Sequence, residues 1–511
     1  MVEAGGTMLL LALCGGAFST LAIEQGLRPA PSLKDRPWRA WGAHFGVWIL
    51  AFAVVLAVTA RPFFSALLVL AELGFIVLVS NAKRNSLREP FVFADLEYFI
   101  DALRHPRLFM PYFTVWGAVL TAVVFGLVLF LGLALEPSLR DSAGYSGFAA
   151  IIAALAVSAS LLLWLGRTGS LPVNFDADAD LKRCGLLACF WFYAIAERRP
   201  FDASHVSPFK AVRSSGASAA LPHVVIVQSE SYFDARRLYP EIRPEVYARF
   251  DAIKRQSVQH GTLIVPAWGG NTTRSEFSFL SGLTDADIGV HRFNPHRRLA
   301  RRPMPSVASV YRQAGYRTAC IHPYPVQFNS RDVVYPALGF DQFIDVTAFD
   351  GADRFGPYIS DEAVTRQICA MLREAREPTL LFVITMENHG PLHLESPAPG
   401  DVERLYVNPP PPGFDDFSVY LRHVANADRM IAVIQDVLEN NPRDGVFCWY
   451  GDHVPILPRV YRDAGFEDGR TDYFIWRKGG GAPLNLDVRV ESLGGTVLQQ
   501  SGFSIQEKFI K

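Results

Sequence analysis

The chain has 511 residues, of which 50% are hydrophobic and 19% are charged, and its formal net charge is −1. This length accommodates several domains, each with its own core. The balanced charge excludes a protein whose main role is to bind nucleic acid through a basic surface. The six cysteines are dispersed and include no C-x-x-C pair, which excludes a disulfide-rich scaffold.

The first third of the chain contains five long apolar segments that carry almost no charge. A helix of ~20 residues spans the ~30 Å hydrocarbon core of a bilayer, so these segments predict five transmembrane helices. The segments are 8–23, 40–60, 62–80, 113–135 and 145–165. We therefore expect an α-helical membrane domain over residues 1–167.

The first apolar segment has a competing interpretation as a cleaved signal peptide. It lacks the basic residues that precede such a peptide, since Glu3 is the only early charge. It also has no clear cleavage site of small residues. We expect a retained helix, which Gly5, Gly6 and Thr7 can extend.

Two polar features interrupt this apolar region. Glu72 lies in the third predicted span, where a carboxylate is costly and usually faces the bundle interior. A structural role and contact with a polar ligand group are alternative interpretations. Residues 85–103 mix aromatic and charged side chains, which predicts a helix lying in the headgroup layer.

The distribution of basic residues bears on the orientation of the protein in the membrane. They cluster in the loop after the first span and in the loop after the third. These residues are Arg28, Lys34, Arg36, Arg39, Lys83, Arg84, Arg88, Arg104 and Arg107. The positive-inside rule would place both loops in the cytoplasm, and five spans would then leave the C-terminal part there too.

Residues 168–220 are predicted to connect the membrane domain to the rest of the chain. The stretch 184–195 has the composition of a short apolar helix. It contains Cys184 and Cys189, which either form a local disulfide or pack as free thiols. The rest of the connector is polar and contains proline, serine and glycine.

From residue 221 to residue 511 the pattern is that of an α/β domain. Short apolar runs over 223–228, 262–265, 316–321, 380–384 and 446–450 predict buried strands. They alternate with predicted helices over 304–314, 361–375 and 415–439. Such alternation predicts a mostly parallel sheet covered by helices on both faces. Ligands of such folds bind outside the carboxyl ends of the strands.

Polar side chains collect at the ends of these predicted strands. The groups are Ser229-Glu230-Ser231, His322, Glu387-Asn388-His389 and Gly451-Asp452-His453. Each group taken alone also fits an ordinary turn or helix cap. Together they supply the mixed oxygen and nitrogen ligands that a divalent metal ion requires.

The loop 268–276 precedes an apolar helix and reads Trp-Gly-Gly-Asn-Thr-Thr-Arg-Ser-Glu. Glycines followed by hydroxyl residues at a helix start offer backbone N–H groups and a positive dipole end to a phosphate. The alternative is that Thr272 or Thr273 simply caps the helix. A hydroxyl beside a metal ion has a lowered pKa, which makes it a candidate nucleophile.

With these motifs in this order after five membrane spans, the chain resembles the lipoteichoic acid synthase family. That family includes related phosphoglycerol transferases of Gram-negative bacteria. The motifs that carry the resemblance are Ser-Glu-Ser at 229–231, Gly-Asn-Thr-Thr-Arg-Ser-Glu-Phe at 270–277, His322, Phe-Asn-Ser-Arg-Asp at 328–332, Glu-Asn-His-Gly-Pro at 387–391 and Tyr-Gly-Asp-His at 450–453. The resemblance implies a sulfatase-like, alkaline phosphatase-like fold for the α/β domain.

The resemblance also implies roles for individual residues. Glu230, Asp452 and His453 would bind the metal ion, with manganese expected and magnesium or zinc as alternatives. Thr272 would be the nucleophile and the fourth ligand. The phosphoglycerol group would contact His322, Arg331 and His389. Family members often have tryptophan where this chain has Asn329, and the adjacent Thr273 leaves an alternative register for the nucleophile.

The implied activity is transfer of phosphoglycerol from a phosphatidylglycerol-like lipid to a hydroxyl of a glycan, glucan or glycolipid. Diacylglycerol leaves, and a phospho-threonine is the intermediate. The alternatives are a phosphoethanolamine transferase and a non-catalytic lipid-binding or sensing membrane protein. Sulfate ester hydrolysis is not expected, because the loop lacks the Cys/Ser-x-Pro-x-Arg sequence from which sulfatases make formylglycine.

The resemblance further implies a multi-pass protein of the cytoplasmic membrane with the α/β domain outside it. This orientation contradicts the arginine count, but long domains translocate largely regardless of charge. Its partners would be the lipid donor, the acceptor and the membrane, with no nucleic acid. His389 is a candidate for the general acid.

Overall fold

The fold was analysed in a computed structural model of the full chain. The structure describes residues 2–97, 134–199, 201–202, 206–214, 221–299 and 302–505, together with single residues between 119 and 132. The chain forms two compact units, Met1–Pro200 and Phe201–Lys511, which we call the membrane unit and the α/β unit. The boundary between them falls inside the predicted connector.

The membrane unit is built from apolar helices. Those with described bounds are α1 (Val2–Glu24), α2 (Trp38–Thr59), α3 (Pro62–Leu87), α4 (Leu139–Gly166), α5 (Ala177–Cys184) and α6 (Leu186–Glu197). Four of these in the described part, α1 to α4, are long and apolar enough to cross a membrane. The predicted span 113–135 lies largely outside the described residues.

One end of the membrane unit holds the loops that follow α1, α3 and α4. Ser32 N–H donates to the carbonyl of Lys182 (2.7 Å), and the side chain of Asn81 bonds the backbone of Gly26 and Arg28. These contacts join the loop after α1 to α3 and α5. The helix α6 has only 12 residues and is too short to span a bilayer.

The opposite end joins the α2–α3 turn to the start of α4. The carboxylate of Glu136 accepts from the N–H groups of Phe63 (2.8 Å) and Phe64 (2.7 Å). Arg61 Nε donates to the Glu136 carbonyl (2.8 Å). The first N–H groups of a helix lack intrahelical partners, so Glu136 satisfies them and its charge suits the helix dipole.

The segment predicted to lie in the headgroup layer is only partly described. Residues 85–87 complete α3, and a 3-10 turn covers Phe93–Glu97. Lys83 Nζ donates to Glu89 (2.7 Å) and to Asp95 (2.7 Å), which ties this turn to α3. Residues 98–103 lie outside the described residues. Glu72 is exposed on α3 with respect to the described helices.

In its described residues, the α/β unit contains a nine-stranded sheet and two small strand pairs. The strands are β1 (Arg213–Ser214), β2 (His223–Ser229), β3 (Gln259–Ile264), β4 (Arg317–Ile321), β5 (Gln342–Ile344), β6 (Arg354–Phe355), β7 (Tyr358–Ile359), β8 (Thr379–Ile384), β9 (Gly445–Gly451), β10 (Thr471–Arg477), β11 (Leu484–Asn485), β12 (Val488–Arg489) and β13 (Phe503–Ser504). In the large sheet the order is β11-β3-β10-β9-β2-β8-β4-β5, and β12 also pairs with β3. The predicted mostly parallel sheet is confirmed, since β9, β2, β8, β4 and β5 are all parallel.

Helices cover both faces of this sheet. They are α7 (Ala248–Lys254), α8 (Thr272–Ser281), α9 (Asp285–Ile288), α10 (Pro295–Leu299), α11 (Val307–Gln313), α12 (Arg331–Leu338), α13 (Asp361–Glu374), α14 (Asp401–Leu405), α15 (Asp415–Glu439), α16 (Pro458–Ala464) and α17 (Val490–Gln500). Side chains alternate between the faces along a strand, so Val225 and Val227 of β2 pack with α13 and α15, whereas Val224 and Ile226 pack with α8, α11 and α17. The two cores hold the sheet rigid between its helical layers.

All five predicted strands are present, with ends that differ by up to three residues. The strand β10, which pairs antiparallel with both β9 and β3, was not predicted from the sequence. Because β10 reverses direction, β3 runs parallel to β9 and ends at the same edge of the sheet. The loop 265–271 therefore emerges beside the ends of β2 and β9.

Candidate metal and phosphoryl-transfer site

The carboxyl ends of the parallel strands bring the predicted site residues to one edge of the sheet. Glu230 directly follows β2, and Asp452 with His453 directly follows β9, which is the hydrogen-bonded neighbour of β2. His322 follows β4, and His389 lies in the loop after β8. This placement explains how residues more than 200 positions apart in the chain can share one site.

Glu230, Asp452 and His453 form the candidate metal centre. All three are buried, and one ligand atom from each lies within 4.8 Å of the others. His453 Nε2 is 3.5 Å from Glu230 Oε1 and 3.2 Å from Asp452 Oδ2. Two carboxylates and an imidazole at this separation match the donor set of a divalent cation.

Backbone and hydroxyl groups fix these three side chains. Asp452 Oδ1 accepts from the N–H groups of Ser231 (2.9 Å) and His453 (3.0 Å). Ser231 Oγ donates to Glu230 Oε1 (2.9 Å). His453 Nδ1 lies 3.0 Å from the carbonyl of Val454, so Nδ1 carries the proton and Nε2 is the ligand atom.

The charge of the site also favours a bound cation. Burial, and then the nearby Asp452 carboxylate, raise the pKa of Glu230 to about 8. Asp452 Oδ2 is buried and accepts no hydrogen bond from the described residues. Buried carboxylates are normally paired or bound to a metal ion, so these residues fit a divalent cation.

Thr272 begins α8 and faces this centre. Its Oγ1 lies 3.4 Å from His453 Nε2, the same atom that faces both carboxylates. The helix N-cap is Asn271, in the left-handed conformation with φ 63°, and its side chain makes no capping bond. The alternative that Thr272 or Thr273 caps this helix is therefore wrong. Thr272 instead places a hydroxyl beside the N–H groups and the positive dipole end of α8.

Arg331 is buried at the start of α12 and is paired with Glu276 of α8. Its Nη2 donates to Glu276 Oε2 (2.8 Å), and Tyr335 donates to Glu276 Oε1 (2.6 Å). Burial would raise the pKa of Glu276, but Arg331 and then His296 outweigh it and lower this pKa to about 2. Arg331 Nη1 is buried and has no hydrogen-bond acceptor in the described structure. That N–H group can still bind a phosphate oxygen.

His322 and His389 are both neutral imidazoles. Burial, and then the Arg331 charge, lower the pKa of His322 to about 3, and burial lowers the pKa of His389. His322 Nδ1 faces the carbonyl of Ile384 (3.2 Å), and His389 Nδ1 faces that of Gly390 (2.7 Å). Each Nδ1 therefore carries the proton, which leaves Nε2 as a hydrogen-bond acceptor.

The predicted residues thus form two connected groups in the structure. Thr272 lies 3.4 Å from His453 of the metal centre, whereas Arg331 pairs with Glu276, and His322 is affected by the charges of Arg331, Glu276 and His389. Charge interactions link the groups, since Arg331 acts on Glu230 and Asp452 acts on His389. From the sequence, Glu276 was named only as a member of the motif at 270–277. Its place one helical turn after Thr272 and Thr273 was the signal that it shares their site.

The comparisons with known proteins agree with this geometry. The sequence matches the sulfatase family over residues 222–501. It is 29% identical to the capsular polysaccharide biosynthesis protein RkpI of Rhizobium meliloti (strain 1021), over 85% of this chain and 80% of that protein. A putative cyclic beta-1,2-glucan modification protein of the same organism is also 29% identical, over 53% of this chain and 41% of its own length.

A solved structure resembles the chain across both units. It is the integral membrane protein lipooligosaccharide phosphoethanolamine transferase A from Neisseria meningitidis, with a TM-score of 0.55 and 15% identity. The similarity covers 98% of this chain and 97% of that one. It confirms the predicted fold class, a helical membrane domain followed by a sulfatase-like α/β domain.

Proposed function

The chain belongs to the sulfatase family, in the alkaline phosphatase-like group that includes the lipoteichoic acid synthases, and on this premise we propose that it is a metal-dependent phosphoglycerol transferase. The donor is a phosphatidylglycerol-like lipid, and the acceptor is a hydroxyl of a glycan, glucan or glycolipid. One observation carries the proposal. The Thr272 hydroxyl lies 3.4 Å from His453, in a buried centre where two carboxylates face each other.

Glu230, Thr272, Asp452 and His453 would hold the cation. Manganese is expected, with magnesium and zinc as the ions to compare. The bound ion lowers the pKa of a neighbouring hydroxyl and neutralises charge on the phosphoryl group. The family name refers to the fold, since this chain keeps threonine where sulfatases need a residue that becomes formylglycine.

In the first half-reaction, Thr272 Oγ1 attacks the phosphorus of the donor. A Thr272 Oγ1–P bond forms, and the bond from phosphorus to the diacylglycerol oxygen breaks. Arg331 Nη1, which has no acceptor in the described structure, and the N–H groups at the start of α8 would bind the phosphate oxygens. The Thr272 hydroxyl gives up its proton as the new bond forms, the leaving oxygen takes up one proton, and diacylglycerol departs with no net change in protons.

In the second half-reaction, an acceptor hydroxyl attacks the same phosphorus and releases Thr272. The acceptor oxygen loses its proton, and the departing Thr272 oxygen takes up one proton, which restores the threonine hydroxyl. His389 suits this proton transfer because it is neutral and its Nε2 has a free lone pair. The proton that His389 accepts at Nε2 can pass to the departing oxygen in the same half-reaction, which makes His389 the general acid and leaves its imidazole neutral again.

The charges around the second group support glycerol over ethanolamine as the transferred headgroup. An ammonium group needs a carboxylate partner, but Glu276 is already engaged by Arg331, Tyr335 and His296. The neutral His322 offers an acceptor nitrogen that suits a glycerol hydroxyl. All six cysteines are free thiols, whereas phosphoethanolamine transferases of this group usually carry disulfides.

The membrane unit supports a location in the cytoplasmic membrane, with the α/β unit outside. Two cations of the basic loops are buried in ion pairs, so they count less toward the positive-inside rule. Arg36 bonds Glu24 (2.8 Å), and Lys83 bonds Glu89 and Asp95 (both 2.7 Å). A reporter fused after residue 511 should therefore register outside the cytoplasm. A clean cytoplasmic signal would contradict this orientation.

The test is a donor comparison with the purified full-length protein in the presence of Mn²⁺. We expect diacylglycerol release from phosphatidylglycerol and labelling of a glucan acceptor with phosphoglycerol. Phosphatidylethanolamine, the matched control donor, should give neither product. Turnover of phosphatidylethanolamine alone would assign the ethanolamine headgroup, and binding of Mn²⁺ without turnover of either lipid would indicate a non-catalytic protein.

A further inference from the structure

A second concave site lies on the α/β unit, between α13 and α15. It is a cavity of about 600 Å³, within the ~300–1,000 Å³ range of small-ligand sites. Its inner end is formed by Ser360 and Glu387, and it extends along Cys369 and Val433 to Arg373. We call it the α13–α15 groove.

The inner end of the groove is held rigidly by a buried hydrogen-bond network. Glu387 accepts from Asp361 N–H (2.7 Å), from His423 Nδ1 (3.0 Å) and from the side chain of Asn426. His423 also contacts Glu395 (3.3 Å). Burial would lower the pKa of His423, but its bonds to the two glutamates raise this pKa to about 9. A wall fixed by charged bonds from two helices keeps its shape before a ligand arrives.

The β6–β7 hairpin connects this groove to the transfer site. Tyr358 of β7 donates to the Gly390 carbonyl (3.1 Å) and lies 3.5 Å from His389 Nδ1. Three residues earlier, Phe355 lines the groove and is 37% exposed. Glu387, at the inner end of the groove, precedes His389 by two residues in the loop after β8. The groove therefore begins beside the loop that carries His389.

The lining of the groove fits a neutral, hydroxyl-rich ligand. It combines cations and carboxylates with hydroxyl and amide groups, and the residues concerned are Glu362, Thr365, Arg366, Arg373, Asn426 and Arg429. The carboxylates would repel a polyanion or an anionic lipid headgroup, and the arginines would repel a cation. Phe355 adds an exposed ring that can pack against the C–H face of a sugar.

We propose that the α13–α15 groove binds a neutral oligosaccharide segment of the acceptor. This inference rests on the proposed function, because it names the acceptor class of that same reaction. A sugar chain seated along α13 and α15 would present a free hydroxyl at the edge of the sheet where Thr272 lies. Binding in the groove raises the local concentration of this hydroxyl at the phospho-threonine.

The test fills the groove and measures the acceptor dependence of transfer. Val433→Trp places an indole in the groove from α15, and Ala370→Trp places one on the solvent-exposed side of α13 as the matched control. Full-length protein is given phosphatidylglycerol, Mn²⁺ and cyclic β-1,2-glucan as the probe. We expect the KM for the glucan to rise about tenfold or more in Val433→Trp, a loss of ~1.4 kcal/mol in binding, and to stay at the wild-type value in Ala370→Trp.

The rate of phospho-threonine formation without glucan is recorded for each variant. A folding defect in Val433→Trp would lower this rate together with the rate of transfer. In that case the double variant Phe355→Ala, Arg373→Ala replaces Val433→Trp in the same comparison. A wild-type KM for glucan in these groove variants would overturn the inference. Displacement of glucan by phosphatidylglycerol vesicles in a competition assay would assign the groove to a lipid headgroup and overturn it as well.

Failure of the proposed function is distinguishable from failure of the groove. If the wild-type protein forms no phospho-threonine from phosphatidylglycerol, the proposed function is wrong. Calorimetric titration of Thr272→Ala with the same glucan still tests the groove, because it needs no turnover. Binding that Val433→Trp weakens about tenfold would support the groove, and the absence of binding would reject it.

Discussion

Two buried clusters of charged residues, one in each unit, differ in how their carboxylates are satisfied. In the membrane unit, Glu24 Oε2 accepts from Arg36 (2.8 Å), and Glu24 Oε1 accepts from Leu187 N–H (3.0 Å) and lies 3.5 Å from His44. In the α/β unit, Glu230 and Asp452 share His453, and one Asp452 oxygen accepts no hydrogen bond from the described residues.

Both clusters are almost fully buried, so burial of charge does not by itself identify a functional site. The difference lies in the balance of charge. A guanidinium of the protein compensates Glu24, whereas in the α/β unit burial, and then repulsion from the Asp452 carboxylate, raise the pKa of Glu230 to about 8. The first cluster holds helices together, and the second is built for a cation that the protein does not itself supply.

The largest effect on activity is expected from substitutions in the cluster of the α/β unit, whose carboxylates have no cation from the protein. Asp452→Asn and Glu230→Gln each remove the negative charge of a ligand, His453→Ala removes a ligand, and all three should abolish transfer. A bound ion contributes several kcal/mol to transition-state stabilisation, so we expect a loss of ~10³-fold or more. Steady-state transfer rates and metal content measure this effect. Full activity in one of the three variants would exclude that residue from the site.

The second largest effect is expected when the cation of the Glu24 cluster in the membrane unit is removed. Arg36→Met leaves the Glu24 carboxylate buried without its cation, which should destabilise the membrane unit by ~3–5 kcal/mol. Thermal unfolding measures this loss, and Lys34→Met is the control, because it removes the same charge from an exposed position in the same loop. By contrast, Asp452→Asn should not lower the unfolding temperature of metal-free protein. Equal destabilisation by Arg36→Met and Asp452→Asn would contradict the comparison.

Removal of the metal ion tests the same difference between the two clusters and leaves the ion pair of Glu24 and Arg36 unchanged. A ligand that binds only the folded state stabilises it by ~2.7 kcal/mol at a hundredfold excess over Kd. A chelator should therefore lower the unfolding temperature of the wild-type protein, and adding Mn²⁺ back should restore it. Asp452→Asn should show no response to chelator. An equal response of the two proteins would place the ion elsewhere.

The His423 network lies between the two clusters in its charge balance, because one imidazole bonds two glutamates. Its pKa of about 9 in the folded state exceeds the ordinary value of 6.5. The folded state therefore holds a proton more tightly, so the stabilisation is complete below pH 6.5 and is lost as the pH rises through about 9. We expect wild-type stability to fall by roughly 1–3 kcal/mol more than that of His423→Gln over this range. Parallel pH profiles from chemical denaturation would contradict this prediction.

The sequence predicted those parts of the site that follow a strand directly. Glu230, His322, Asp452 and His453 each lie within two residues of a strand end, and parallel strands bring such ends to one edge. The apolar runs were long enough to identify the strands, and the edge followed from their parallel order. The helix over 415–439 was also predicted with its observed bounds.

Other features depend on contacts that no local pattern indicates. The pair of Arg331 and Glu276 joins residues 55 positions apart, on two helices whose packing the sheet order determines. The strand β10 escaped prediction because it contains both polar and apolar residues and lies beyond the motif that ends β9. The α13–α15 groove exists only because those two helices pack on one face of the sheet. Such features require the tertiary arrangement.

The most direct test of the central claim is peptide mass spectrometry of the wild-type protein after incubation with phosphatidylglycerol and Mn²⁺ in the absence of acceptor. We expect one phosphoglyceryl group on Thr272, which added glucan removes. Thr272→Ala should carry no label, and Thr273→Ala should still carry it, since Thr273 is buried in α8. Label on Thr273, or an unlabelled wild-type protein that still transfers phosphoglycerol, would contradict the account.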